Sequence, residues 1–256
     1  MGKRYTPVLE FNTSIILPFF KKSEIFKIAL EKNAKYFDRP GIEVIICMDE
    51  CGEEEFLLEI IKLYSSINWK IYINRRSHGW RGPVKALNVG IRHAGKKNFL
   101  FIDPESVMLS DILYTFHLYS FHYPNCFFTG NVIFSGLHSI LREKEEVLPY
   151  GSLFVKRKYI VPIKGYDESY TTWGGDDDNI RARLEMTGIK RIHVPEALLA
   201  HKEAGNSSGH KEREAKSDLL SLRQKQDAFY PAKHYANTGS WGIEFSESIY
   251  DYTQNH

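Results

Sequence analysis

The stretch Asn98–Glu105 reads NFLFIDPE, an apolar run of strand length broken at once by two carboxylates that flank a proline. An unbroken Phe-Leu-Phe-Ile run suits a strand covered on both faces, as in a parallel sheet. Such a sheet needs further buried strands joined by helices, and the residues upstream supply them. Ser14–Leu17 (SIIL) reads as a strand ending at Pro18. Ser23 to Phe37 carries apolar residues at Ile25, Phe26, Ile28, Ala29 and Tyr36, which predicts a helix opened by a serine cap. Glu43–Met48 (EVIICM) is a second strand, Glu53 to Leu63 a second helix and Trp69–Ile73 a third strand. Pro83 to Ala94 is a helix with proline in its first turn, leading into the fourth strand. Strands alternating with helices imply right-handed βαβ units, an α/β class with a mostly parallel central sheet. Ligands of such sheets bind at the carboxyl ends of the strands. The residues just past those ends are Pro18–Phe20, Asp49–Glu50, Arg75–Arg76 and Asp103–Glu105.

Beyond Ser110 the pattern changes. A helix through Tyr123, strands at Phe127–Phe134 and Ser152–Val155, and a helix from Ile180 to Met186 behind an acidic start are expected. Ile189–Val194 reads as a short strand that ends before a Pro195-Glu196 turn, Gly205–Gly209 (GNSSG) as a flexible loop, and Glu212 to Ala228 as a charged helix. No internal repeat or Pro/Ser-rich linker divides the chain, so a single domain is expected. Its halves would be about 12–105 and 106–210, with 211–256 as a helical extension.

Composition bounds the function. Of 256 residues, Lys plus Arg number 34 and Asp plus Glu 32, a formal charge of +2, which argues against binding nucleic acid through bulk charge. Aromatic residues reach 14%, a share that suits stacking on sugars or bases as well as a core. Cys47, Cys51 and Cys126 form no zinc pattern, and so sparse a set fits a reducing compartment. Met1 to Asn12 lacks the apolar stretch of a secretion signal, and no run reaches the length of a membrane span. The expectation is a cytoplasmic protein, at most resting on the inner face of a membrane.

Several clusters could carry chemistry. Asp103 and Glu105 lie one residue apart on an extended turn, able to share a divalent ion and the diphosphate it neutralises. On the tripeptide alone a plain acidic turn is the simpler reading; its place after the fourth strand favours the site. Trp173-Gly174-Gly175-Asp176-Asp177-Asp178 sets three repelling carboxylates behind an aromatic ring and two glycines. Acids at a helix start gain about 0.3–1 kcal/mol each from the macrodipole, which accounts for one or two of them. The tryptophan and glycines fit a sugar site, where a ring stacks and carboxylates bind hydroxyls. His201, one of ten histidines, is a weak candidate ligand taken alone. In Arg75–Gly90, glycines allow close backbone approach, and Arg76, Arg81 and Lys85 could answer phosphate charge. No Walker loop, dinucleotide fingerprint or nucleophile elbow is present.

In this order the pieces resemble family-2-type glycosyltransferases with the GT-A (Rossmann-like) fold. The likeness runs from about Ser14 to His201: IILP, the acidic pair in MDE, the G-x-x-x-A-x-N-x-G segment from Gly82, the D-x-E after the fourth strand, and Gly165-Tyr166-Asp167-Glu168 followed by the Trp173–Asp178 stretch. The WGG-acid-acid-acid form is similar to β-1,4-galactosyltransferases and polymerising galactosaminyl transferases. The resemblance implies that Asp49 and Glu50 meet the uracil or ribose of a UDP-sugar beside Pro18, Phe19 and Phe20. Arg76 and Lys85 would lie near its diphosphate. Asp103, Glu105 and His201 would hold Mn²⁺ or Mg²⁺, with Asp103 also touching the nucleotide. Asp176 would bind the acceptor hydroxyl and Asp177 act as general base. Trp173, Gly174 and Gly175, with Trp80 or Tyr170, would form the acceptor platform, and the Gly205–Gly209 loop would close over the donor. The sequence departs from the pattern twice, with D-P-E for D-x-D and Asp176 for the usual Glu.

The implied activity is inverting, metal-dependent transfer of a galactose, N-acetylgalactosamine or N-acetylglucosamine type sugar to a glycan or lipid-linked sugar. A sugar nucleotidyltransferase would need a Gly-rich, basic loop after the first strand, where this chain has Pro18-Phe19-Phe20. A carbohydrate-binding protein of the same fold would release no UDP.

Overall fold

The computed structural model describes residues 9–49, 52–74, 82–135, 147–148, 152–172, 174–202, 222–243 and 249–251. In chain order the elements are β1 (Thr13–Phe19), α1 (Ser23–Phe37), β2 (Ile42–Asp49), α2 (Glu54–Lys62), β3 (Trp69–Asn74), α3 (Val84–His93), β4 (Asn98–Ile102), β5 (Ser106–Met108), α4 (Ile112–His122) and β6 (Cys126–Ser135). They are followed by β7 (Val147–Leu148), β8 (Ser152–Lys156), α5 (Arg157–Ile160), α6 (Asp176–Met186), β9 (Lys190–Lys202), α7 (Leu222–Phe229) and β10 (Ile249–Asp251). The strands form one sheet in the order β10-β3-β2-β1-β4-β8-β6-β9-β5, with β7 on β6.

The strands expected from the sequence, β1 to β4, are the parallel block at its centre, in the order β3-β2-β1-β4. Their side chains alternate between two cores. Ile15, Leu17, Val44, Ile46, Leu100 and Ile102 face α1, α2 and α4, while Ile16, Ile45, Cys47, Phe99 and Phe101 face α3 and α6. Helix α3 approaches closely because Gly90 has no side chain: a Cβ there would stand 2.4 Å from Ile16 Cγ2. Helix α1 begins at Ser23 but is not capped by its hydroxyl. Lys22 is the cap, and the Ser23 N–H instead donates to Glu53 Oε2 at 2.8 Å.

Two features of the second half lie beyond the periodicity. Strand β5 is only Ser106–Met108, too short to show alternation. Strand β9 does not end at Val194. It runs on to Lys202, with a register shift between Thr129 and Asn131 of β6, so that His193 pairs before Pro195 and Leu198 resumes after it. Proline has no N–H for a ladder, and a bulge absorbs it without ending the strand.

Two motifs that are far apart in sequence prove to be one polar network. Asn88 of α3 donates from Nδ2 to Tyr166 O (2.8 Å) and to Glu168 Oε1 (2.9 Å), and its Oδ1 accepts from the Tyr166 N–H at 2.7 Å. Asn237 Nδ2 donates to Tyr166 O at 2.7 Å, and Trp241, 5% exposed, packs on the same turn, where a Gly165 Cβ would stand 2.8 Å from its ring. The aromatic Trp241 is thus part of the core. Replacing Asn88 by alanine strands buried partners and is expected to cost about 3 kcal/mol. The melting temperature should fall by roughly 10 °C in a thermal scan; a drop within error would show that the network is not what fixes this turn.

No helix of the described residues is long and apolar enough to cross a membrane.

Candidate active site

Asp103 and Glu105 occupy the turn between β4 and β5, closed by the Ser106 N–H donating to Asp103 O at 3.0 Å. Antiparallel pairing of β5 with β9 sets His201 opposite Ser106. The extension of β9 past Pro195 therefore delivers the histidine to the carboxylates. His201 Nε2 lies 3.3 Å from Asp103 Oδ2 and 3.2 Å from Glu105 Oε1. Lys22, from the turn after β1, also binds Glu105 Oε1. Glu105 and His201 are buried, whereas the Asp103 side chain is 41% exposed.

The charges hold one another. Burial alone would neutralise Glu105, but the Lys22 ammonium and the His201 hydrogen bond outweigh it and keep the carboxyl well below the usual range. Burial would likewise discharge His201, yet its hydrogen bonds to Asp103 and Glu105 raise it to about 9. The three residues can each offer one ligand atom, and these atoms lie within 4.8 Å of one another. Glu105 Oε2 is buried and takes no hydrogen bond among the described residues. Two carboxylates and an imidazole suit Mn²⁺, and a buried oxygen with no partner has a place for a cation to fill. The residues fit a divalent ion.

The second acidic group reaches the same cleft by a different device. Gly174 and Gly175 have φ of 94° and 79°, the left-handed region that glycine tolerates. They turn the chain directly into α6. They thus have a conformational role, bending the backbone into the helix. A Cβ on Gly175 would stand 3.1 Å from the Tyr170 ring and 3.3 Å from Ala228, so α7 and Tyr170 back the turn. Asp176 and Asp177 open the helix and line one cleft with Pro18, Phe19, Asp49, Asp103, Glu105 and His201. Burial and the Asp177 charge push Asp176 up to about 7. Burial also raises Asp177, as does Asp103, against the pull of Arg181. Beneath them the buried Tyr166 phenol is raised by burial and by both carboxylates.

A carboxyl raised on folding favours the folded state when protonated and costs stability once ionised. Asp176→Asn should therefore raise the melting temperature of the metal-free protein at pH 8. The gain should fade as the pH falls from about 7 towards the ordinary value near 4. Thermal scans across that range check this, and a gain that is equal at all pH values would reject it.

The expected site residues separate into groups. Pro18, Phe19, Phe20, Asp49, Asp103, Glu105, Asp176, Asp177 and His201 share the cleft. Asp49 is 5% exposed and accepts a 2.9 Å hydrogen bond from Asn74 Nδ2. Lys85 lies in the first turn of α3 next to lining residues but outside the lining itself. Tyr170, expected on the acceptor platform, is 2% exposed and packs in the core, so its ring supports the Gly175 turn and offers no open face. Glu50, Arg76, Trp80, Trp173 and the Gly205–Gly209 loop lie outside the described residues. Lys22, Ser152 and Tyr166 also line the cleft and were not foreseen. Tyr166 stood within a quoted motif, but nothing in the local sequence singles out Lys22 or Ser152.

A family model described as glycosyl transferase family 2 matches residues 14–121. A second, described as the N-terminal domain of galactosyltransferase, matches residues 136–204. The division falls between the parallel block with the Asp103–Glu105 turn and the half that carries the acids of α6 and His201. Among solved structures, GalNAc-T7 with UDP, GalNAc and Mn²⁺ superposes with a TM-score of 0.61 at 16% identity, covering 88% of this chain and 51% of that one. The mannosyltransferase PcManGT from Pyrobaculum calidifontis, in complex with GDP-Man and Mn²⁺, gives a TM-score of 0.56 at 14% identity, covering 84% and 65%. The chain spans about half the length of the first structure, 51%, and 65% of the second. At such identities the likeness is one of fold. No curated protein sequence matches the chain significantly.

Proposed function

We propose that this chain, a glycosyltransferase of the GT-A fold, moves a hexose of the galactose, N-acetylgalactosamine or N-acetylglucosamine type from UDP to a glycan hydroxyl with inversion. The observation that carries the reading is the meeting of two acidic groups in one cleft: Asp103, Glu105 and His201 on one wall, Asp176 and Asp177 on another. The first group suits a diphosphate and its counter-ion, and the second suits an incoming hydroxyl. Pro18, Phe19, Phe20 and Asp49 would hold the nucleoside, with the Asp49 carboxylate accepting from ribose or uracil. A divalent cation held by Asp103, Glu105 and His201 would offset the charge that grows on the departing diphosphate.

In the reaction the acceptor oxygen bonds to the anomeric carbon as the bond from that carbon to the UDP oxygen breaks, and its electron pair leaves with UDP. Asp177 takes the hydroxyl proton, a transfer that helps because the hydroxyl becomes acidic as its new bond forms. Asp176 accepts a hydrogen bond from the acceptor and so orients it. A raised carboxyl pKa suits a base working near neutral pH. The acidic limb of the rate should lie above the ordinary aspartate value near 4, because burial raises Asp177. A pH–rate profile whose limb sits at or below 4 would contradict this.

The test is release of UDP from a panel of UDP-sugars, with and without glycan acceptors and Mn²⁺, with GDP-mannose alongside. Acceptor-dependent UDP release and an anomeric configuration inverted in the product support the reading. Turnover confined to GDP-mannose, a retained configuration, or formation of pyrophosphate would overturn it.

A further inference from the structure

We propose that Lys22 is a tethered counter-ion that occupies the charge of the metal site until donor arrives, so that divalent cation and nucleotide load cooperatively through it. The inference rests on the donor reading above and adds to it a residue and an order of events. Lys22 sits at the cap of α1, behind Lys21 with its left-handed φ of 51°, and its ammonium binds Glu105 Oε1. That is the same oxygen that His201 Nε2 approaches at 3.2 Å. Glu105 is the most buried of the candidate carboxylate ligands, with a side chain only 3% exposed against 41% for Asp103.

A divalent ion at Glu105 would meet this ammonium within hydrogen-bonding distance of its own ligand. Like charges so close, sharing a buried carboxylate, disfavour one another. Lys22 must therefore leave for the cation to bind well, and it can. Its side chain is 27% exposed and its charge rides on a flexible four-carbon stem. Where it goes follows from the rest of the cleft. Among the described lining residues Lys22 is the sole lysine or arginine, and Asp49, Asp103, Asp176 and Asp177 are acidic. A diphosphate entering beside these carboxylates gains from any positive charge freed for it in addition to that of the cation. The ammonium released from Glu105 supplies that charge, so each ligand favours the other: the cation sets Lys22 free and the diphosphate receives it.

Mn²⁺ binding followed by paramagnetic resonance of the free ion, with no nucleotide and with saturating UDP, reads this without turnover. The wild type should bind Mn²⁺ weakly alone and more tightly with UDP. Lys22→Gln keeps a donor for Glu105 but removes the charge. It should bind Mn²⁺ alone about tenfold more tightly and, with Mn²⁺ present, bind UDP about tenfold more weakly. Lys22→Arg, which keeps the charge, should follow the wild type. If Lys22→Gln binds Mn²⁺ alone no better than a wild type that shows UDP-linked uptake, this inference fails and the donor reading stands. A wild type that takes up Mn²⁺ neither alone nor with UDP overturns both.

Discussion

Asp177→Asn should lower the rate of sugar transfer by about 10²–10⁴-fold while leaving UDP binding close to wild type. Asparagine keeps the shape of the side chain and its place in the first turn of α6, but it cannot take a proton. Charge and geometry elsewhere in the cleft, including Asp103, Glu105 and His201, stay as they are. The neighbouring Asp176→Asn provides the contrast. If Asp176 orients the acceptor, its loss should raise the acceptor KM more than it lowers kcat. Single-turnover assays of both variants, with UDP affinity measured separately, distinguish the roles. Near-normal transfer by Asp177→Asn, or a collapse of kcat in Asp176→Asn alone, would move the base by one residue along the helix. Because the two carboxyls interact, their pH profiles report the pair, and the variants are needed to separate them.

Glu105→Gln should lower Mn²⁺-dependent kcat/KM by about 100-fold or more, since loss of even an outer-shell partner commonly costs 10–100-fold. The same variant should lose most of the thermal stabilisation that Mn²⁺ and UDP together give the wild type. The physical reason is that Glu105 is the charged oxygen donor that the protein buries and surrounds with cations, Lys22 on one side and His201 on the other. The amide keeps the size and a neutral oxygen but gives up the charge that draws a divalent ion. A Glu105→Gln protein with wild-type Mn²⁺ dependence would show that the proline-spaced turn does not hold the metal.

Much of the fold was legible because buried strands leave a local mark. SIIL, EVIICM and NFLFI stand out by their apolar runs and WKIYI by apolar and aromatic residues around a single lysine, and they became the four-strand parallel block. The helices between them are amphipathic at the period of a helix and appeared within a residue or two of their expected bounds. Beyond Ser110 the reading thinned. Strand β5 has only Ser106, Val107 and Met108, and β9 hides a bulge at the proline that the sequence suggested was its end. The glycines of the Trp-Gly-Gly segment, which looked like room for a ligand, also turn the chain into α6, a role the local pattern did not show.

The site divides the same way. Asp103, Glu105, Asp176 and Asp177 were visible in the chain, because carboxylates placed at the end of a strand or the start of a helix carry their position with them. His201 was one histidine among ten, and Lys22 one surface-type lysine among many. By itself the sequence determined which segments are strands and helices and which acids stand at their ends, since hydrophobic period and chain position are local properties. Only the tertiary structure decided that β5 pairs with β9, that His201 thereby meets Glu105, and that Lys22 joins them. Those contacts depend on strand register and on residues up to a hundred positions apart, which no local pattern encodes.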